Sequence, residues 1–243
     1  MELSGSTTAD VAGYLTRRSA IVVPLGSNEQ HGALAPLDCD AAVASALCRE
    51  ASARAGVLCA PVLPCGSSEC HMSFPGTVSL SDPTLAAVLE DVAGSLIRHG
   101  FRSILLLSGH GGNRAAATEA VEGLRSRHPG IGLAYMGYWE LPGAKDLEER
   151  LFEGRSGFHA TASEVSMYMH LFPGFRPPDE ALRQYPPSPS MRLSASGWRD
   201  AYPDGPAGVD ARQVSARKGA EMFGFLCGSL AGVLEGMAGG PGV

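Results

Sequence analysis

The stretch Gly26-Ser27-Asn28-Glu29-Gln30-His31-Gly32-Ala33-Leu34-Ala35-Pro36-Leu37-Asp38-Cys39-Asp40 gathers carboxylate and imidazole groups that could coordinate a metal. Glu29 and His31 sit two apart, so an extended backbone turns both side chains to the same side. Further along, Ser108-Gly109-His110-Gly111-Gly112-Asn113 sets one imidazole in a glycine turn, and His159 is followed five residues later by Glu164. Each group alone has a plainer explanation. Asp40 could cap the helix behind it, Glu29 and His31 could be solvated loop residues, and His110 could cap its own helix. Thr161 and Glu164 have the spacing of a capping box. The conjunction points to chemistry, because all these residues lie where strands end or helices begin.

The elements that must position them alternate between strand and helix. Ala20-Ile21-Val22-Val23-Pro24-Leu25 reads as a buried parallel strand, and 41–55 as the helix after the first loop. Residues 57–63 read as a strand whose proline suits an edge or a bulge. Thr77-Val78-Ser79-Leu80 shows strand alternation. Ser81-Asp82-Pro83 opens a helix that Gly100 ends. Residues 101–107 form a second buried strand, 114–128 a helix, 130–138 a third strand, 165–172 a short helix and 214–234 a closing helix. From 173 to 206 the composition shifts to Pro, Ser and Arg, read as an irregular excursion over the sheet edge or a subunit contact. This order predicts one doubly wound α/β domain spanning 1–243, with a mostly parallel sheet and helices on both faces. Its ligand belongs at the carboxyl ends of the strands.

Composition narrows the function. The 243 residues are 44% hydrophobic and 18% charged, with 19 basic against 25 acidic residues and a formal charge of −6. No basic cluster interrupts that balance, so nucleic acid is not an expected partner. The N-terminal residues carry no secretory pattern, and the apolar run 222–234 is too short to span a bilayer. A cytoplasmic protein acting on a small molecule is the expectation.

Six cysteines lack any C-x-x-C pair and read as reduced, mostly buried thiols, with a thiolate zinc site at Cys65, Cys70 and His71 as the sharper alternative. Ser-Gly-His-Gly-Gly-Asn has neither G-x-G-x-x-G spacing nor the Lys-Ser/Thr of a phosphate loop, which argues against a nucleotide site.

Four motifs in order, Glu29-Gln30-His31-Gly32 with Asp40, Phe74-Pro75-Gly76-Thr77-Val78-Ser79-Leu80, Gly109-His110-Gly111-Gly112-Asn113, and His159 with Glu164, together resemble the creatininase (creatinine amidohydrolase) family over about 22–173. The resemblance implies a Rossmann-like three-layer α/β/α sandwich, two divalent metals per chain (zinc, with manganese or iron as substitutes) and a homohexamer. It implies that Glu29, Asp40 and His110 bind one metal, while His31, the bridging Asp40 and a second carboxylate bind the other. His159 matches the family's catalytic histidine. Mixed nitrogen and oxygen donors suit zinc or manganese, and a bridging carboxylate suits two metals about 3.5–4 Å apart sharing one activated hydroxide.

Three positions depart from the pattern. Creatinine hydrolases place a glutamate where this chain has Gly112. Branches with the Gly-His-Gly-Gly-Asn form resemble pyrimidine-intermediate deformylases and the mycofactocin-precursor peptidase, and they use the glutamate matching Glu164. Leu34 replaces a common histidine, expected to alter the pocket wall, and Cys39 replaces the usual threonine. The resulting expectation is a two-metal hydrolase of an amide-type C–N bond, with His159 as general acid and base and the backbone near Gly111, Gly112 and Asn113 contacting substrate or oxyanion. Residues 138–140 and 173–206 are expected to shape the pocket. The competing class is a non-catalytic, metal-stabilised assembly protein.

Overall fold

The computed structural model describes residues 1–189 and 192–239. Four strands, β1 (Ala20–Leu25), β2 (Leu58–Cys59), β3 (Ser103–Ser108) and β4 (Gly132–Gly137), form one parallel sheet in the order β2-β1-β3-β4. Full-length registers join β1 to β3 and β3 to β4. The helices are α1 (Thr8–Leu15), α2 (Cys39–Ala55), α3 (Asp82–His99), α4 (Arg114–Arg127), α5 (Ala144–Phe152), α6 (Ala162–Leu171), α7 (Ala195–Ala201) and α8 (Ala216–Gly239).

Strand alternation divides the core into two. Val22, Leu105 and Leu107 face one way and pack with α2, α5, α6 and α8, while Ile21, Val23, Ile104 and Leu106 face the other and pack with α1, α3 and α4. This is the expected three-layer sandwich. Both faces of β1 and β3 are covered, which is why these strands read as continuous apolar runs rather than alternating ones.

Local signals set several boundaries. Ser81 caps α3, with Pro83 in its first turn, and Gly100 ends it with φ +106°, a left-handed conformation that a side chain rarely adopts. Helix α8 starts two residues later than expected and runs to Gly239. Its 24 residues are apolar and long enough to cross a membrane, but Met222, Leu226, Cys227, Leu230 and Leu234 form part of the core.

Two expectations are corrected. The 57–63 segment keeps only Leu58–Cys59 as strand. Beyond Cys59 the chain contacts β1 through the Ala60 N–H and an isolated bridge between Leu25 and Leu63, because Pro61 has no N–H to extend the ladder. Thr77-Val78-Ser79-Leu80 is not a strand. Val78 bridges Asn28 and Ser79 bridges Gly66, so the alternation reflects single contacts with two loops. The excursion from 173 to 206, of which residues 190–191 lie outside the described set, reaches the loop side of the site. Its helix α7 packs on the 3-10 turn Glu69–His71.

The strand order reverses direction between β1 and β3. β1 continues outward to β2 on one side and β3 to β4 on the other, which opens a crevice at their carboxyl ends. The loop carrying Glu29 and His31 leaves β1 there, and His110 follows β3 there.

Candidate metal centre

Asp40 lies in the first turn of α2, where Asp38 occupies the cap position without a side-chain cap bond. Asp40 is therefore not the cap. It is 4% exposed, beside Glu29 and His31 at 1% each. One Asp40 oxygen is 3.3 Å from His31 Nε2 and the other 3.3 Å from His110 Nδ1. Glu29 Oε1 is 3.2 Å from the same His110 nitrogen. Glu164 Oε1 approaches His31 Nε2 at 3.8 Å.

These atoms form two overlapping donor groups, Glu29/Asp40/His110 and His31/Asp40/Glu164, with Asp40 common to both. A third group joins Glu29, His31 and His159.

Second partners fix the imidazoles. His31 Nδ1 donates to the Glu29 carbonyl over 3.1 Å, which leaves Nε2 with its lone pair toward the carboxylates. His110 Nε2 donates to the Ser67 carbonyl over 2.8 Å, which leaves Nδ1 toward Glu29 and Asp40. Both rings thus offer a free nitrogen to the same space. His31 Nε2 and Asp40 Oδ2 are buried and have no hydrogen-bond partner. Orphaned buried polar atoms of this kind are costly, and a divalent cation between them would satisfy both. The donor set of carboxylates and imidazoles fits zinc or manganese.

Charge tells the same story. Burial alone would neutralise these groups, yet neighbours of opposite charge override it. Burial lowers the His31 proton affinity, but Asp40, Glu164 and Glu29 raise its pKa to about 10. His110 is likewise driven well above the ordinary range by Glu29 and Asp40 against burial. Burial raises the Glu29 carboxyl, and the fields of His110, His71 and His159 bring it well below the usual carboxylate range. Burial pushes Glu164 up to about 8, opposed by His31. Protons hold the cluster together where a cation would otherwise do so.

Glu164 meets both of its sequence readings. With Thr161 it forms a complete capping box at the start of α6, and it also stands in the second donor group. Gly112, by contrast, has no room for a side chain. A Cβ at Gly112 would lie 2.2 Å from the Ser67 carbonyl and 2.3 Å from His110 Nε2, so no side chain fits unless the 67 loop moves.

His159 is held by two bonds that sequence did not foresee. Its backbone pairs with Ala207, and its Nε2 lies 2.8 Å from the Gln30 carbonyl. Burial and the nearby His71 push its pKa well below the ordinary value, so the ring is neutral near pH 7.

Asn113 belongs to the scaffold: its amide donates to Gly26 and Ser108 and accepts from the Ser67 N–H. Gly111 and Gly112 are exposed beside His110. Leu34 is fully buried and belongs to the hydrophobic cluster that includes residues of α2. Tyr138 is also core, and Glu140 is engaged by the Gly137 N–H and Arg114. Cys65 and Cys70 join no donor group among the described residues, and all six thiols are free. Glu69 is exposed and likewise outside these groups.

Three further residues line the cluster, together with His71, which was considered only as a partner of Cys65 and Cys70. Ser68 donates to Glu29 Oε2 over 2.6 Å, and Gln30 and His71 bond to one another beside His159. Trp198, from the Pro/Arg-rich excursion, lies edge-on against both His71 and His159. A serine and a histidine immediately before Phe74-Pro75-Gly76-Thr77 were the available signal for two of them.

The family model for creatininase, described as creatinine amidohydrolase, matches residues 4–234. The chain belongs to the creatininase family. It is 27% identical to the creatinine amidohydrolase of Pseudomonas putida over 221 residues, 85% of each chain. It is 31% identical to the mycofactocin precursor peptide peptidase of Mycobacterium tuberculosis over 182 residues, 71% of this chain and 65% of that one. Among solved structures, a creatininase superposes with a TM-score of 0.85 at 23% identity, covering 98% of both chains. A putative creatinine amidohydrolase from Bacteroides fragilis superposes at 0.78 and 26%, covering 99% of this chain and 97% of that one. Creatininase structures with manganese and of a zinc-zinc type are also similar in fold. As a creatininase-family amidohydrolase, the chain keeps ligand-capable residues clustered at the crevice of its sheet.

Proposed function

We propose that this chain is a two-metal hydrolase of an amide-type C–N bond. The observation that carries the reading is the pair of donor groups sharing Asp40, with two orphaned buried atoms between them. Glu29, Asp40 and His110 would hold one ion, and His31, Asp40 and Glu164 the other. Such ions supply Lewis-acid polarisation of a carbonyl and acidify water for attack.

The chain's own residues do the rest. His110 and His31 present fixed lone pairs, and Ser68 orients Glu29. His159, neutral and with Nδ1 3.5 Å from Glu29 Oε1, would take at that nitrogen the proton released by water as it adds to the carbonyl carbon and give it to the amine nitrogen as the C–N bond breaks. The exposed backbone of Gly111 and Gly112 beside His110 is suited to holding the developing oxyanion. Trp198 and Gln30 wall the site and exclude water.

For the substrate, Gly112 favours the branch that resembles deformylases and the mycofactocin-precursor peptidase over creatinine itself, and the 31% identity to that peptidase supports the same side. The free thiols fit a cytoplasmic setting, and the family resemblance suggests a homohexamer.

The test is a panel of creatinine, N-formyl amides and short peptides assayed with zinc, with manganese and with chelator. Turnover of one class that disappears in chelator and returns with metal is expected. Turnover unaffected by chelator would overturn the reading.

A further inference from the structure

The Gln30 amide nitrogen lies against two imidazoles. Its Nε2 is 3.0 Å from His71 Nδ1 and 2.9 Å from His159 Nε2, while its Oε1 accepts the Gly32 N–H over 2.9 Å. That last bond fixes which end of the amide faces the rings. An amide nitrogen only donates, so His71 Nδ1 is an acceptor and the ring hydrogen is on Nε2, 3.8 Å from Glu29 Oε1. With His159 Nε2 donating to the Gln30 backbone carbonyl, that nitrogen accepts nothing from the Gln30 amide, whose second hydrogen faces the Gly205 carbonyl, and the free nitrogen of His159 is Nδ1.

The two rings stack, with centroids 4.2 Å apart and planes 21° from parallel. Trp198 closes the group edge-on, 4.5 Å from His71 and 5.4 Å from His159. Its indole N–H is anchored on the Gly205 carbonyl over 3.0 Å. A single bond at one edge, through Nε2, leaves the His159 ring free to tilt about that edge. The flat face of His71 removes this freedom.

We propose that His71 is a positioning residue, whose stacked ring holds the plane of His159 so that Nδ1 stays aimed into the donor cluster. It rests on the reading of His159 as the proton-transfer group. A misplacement of about 1 Å can cost on the order of 100-fold in rate, so a ring that fixes a plane has kinetic consequences without touching substrate.

The test compares His71→Phe, which keeps a flat ring, with His71→Leu, which fills similar volume without one. Each is crystallised with zinc and assayed on the panel compound turned over fastest. The native His159 plane is expected in His71→Phe and a rotated or split ring in His71→Leu. In parallel, kcat should fall about 10- to 100-fold in His71→Leu with KM within about twofold, and recover most of that loss in His71→Phe. An unmoved His159 ring in His71→Leu, equal loss in both variants, or a fall that tracks lost zinc would each overturn the proposal. Full activity in His159→Ala would instead remove the underlying reading, and the two crystal structures would still judge the ring's restraint.

Discussion

A Cβ at residue 112 would stand 2.3 Å from His110 Nε2, the nitrogen that bonds the Ser67 carbonyl. The absence of a side chain at 112 and the orientation of His110 are therefore one feature. Because His110 is locked through Nε2, its Nδ1 serves the cluster.

Restoring the family's glutamate at this position should therefore not rebuild a creatinine-type site. Gly112→Glu is expected to displace His110 and the 67 loop, lower metal content and cost about 1–3 kcal/mol of stability from overpacking. Elemental analysis and thermal melts check it. A variant with native metal content and stability would show that the loop yields easily.

Glu164→Gln separates the cap from the ligand. Glutamine keeps the return bond to the Thr161 N–H, so metal-free stability should change by less than about 0.5 kcal/mol. The charge needed by the second ion is lost, so one ion of two and at least about 100-fold in activity should go with it. Native metal content and turnover would leave Glu164 as a cap alone.

Much of this site was legible in sequence because its residues sit in short motifs at strand ends. Glu29, His31 and Asp40 come from one loop, and a buried parallel strand before it forces that loop to the crevice. His110 was legible for the same reason. Ser68, Gln30 and Trp198 were not, nor was the place of His71 beside Gln30 and His159 rather than with Cys65 and Cys70, because their partners lie 39 to 129 residues away in the chain or arrive on an irregular segment with no periodicity. The 77–80 alternation misled because single bridges impose the same side-chain period as a strand. Leu34 was harder to read. The resemblance implied a polar group there, whereas Leu34 is part of the apolar cluster that includes residues of α2.

Leu34→His tests that last point. An imidazole in the apolar layer would lack partners, and the change should destabilise by about 1–3 kcal/mol while leaving the metal content of the folded protein unchanged. Improved turnover of creatinine without lost stability would return residue 34 to the pocket.

Acid should compete with metal. His31, with a pKa raised to about 10, and His110, raised well above its usual range, hold protons in the metal-free protein that an ion must displace. Apparent affinity for zinc should thus rise from pH 6 to pH 8, with protons released to buffer on binding, measured by calorimetry in two buffers. For the metal-free protein the sign is opposite. The raised His31 contributes stability that is full below pH 6.5 and is lost as pH rises through about 10. Metal affinity independent of pH would mean that these nitrogens are not ligands.

Asp40 carries the central claim, since it alone belongs to both donor groups. The decisive measurement is metal content per chain, by elemental analysis, of native protein and Asp40→Ala after loading with zinc and dialysis. Two ions in the native chain and none in Asp40→Ala are predicted. One ion retained by Asp40→Ala, or a single ion in the native protein, would contradict a shared two-metal centre.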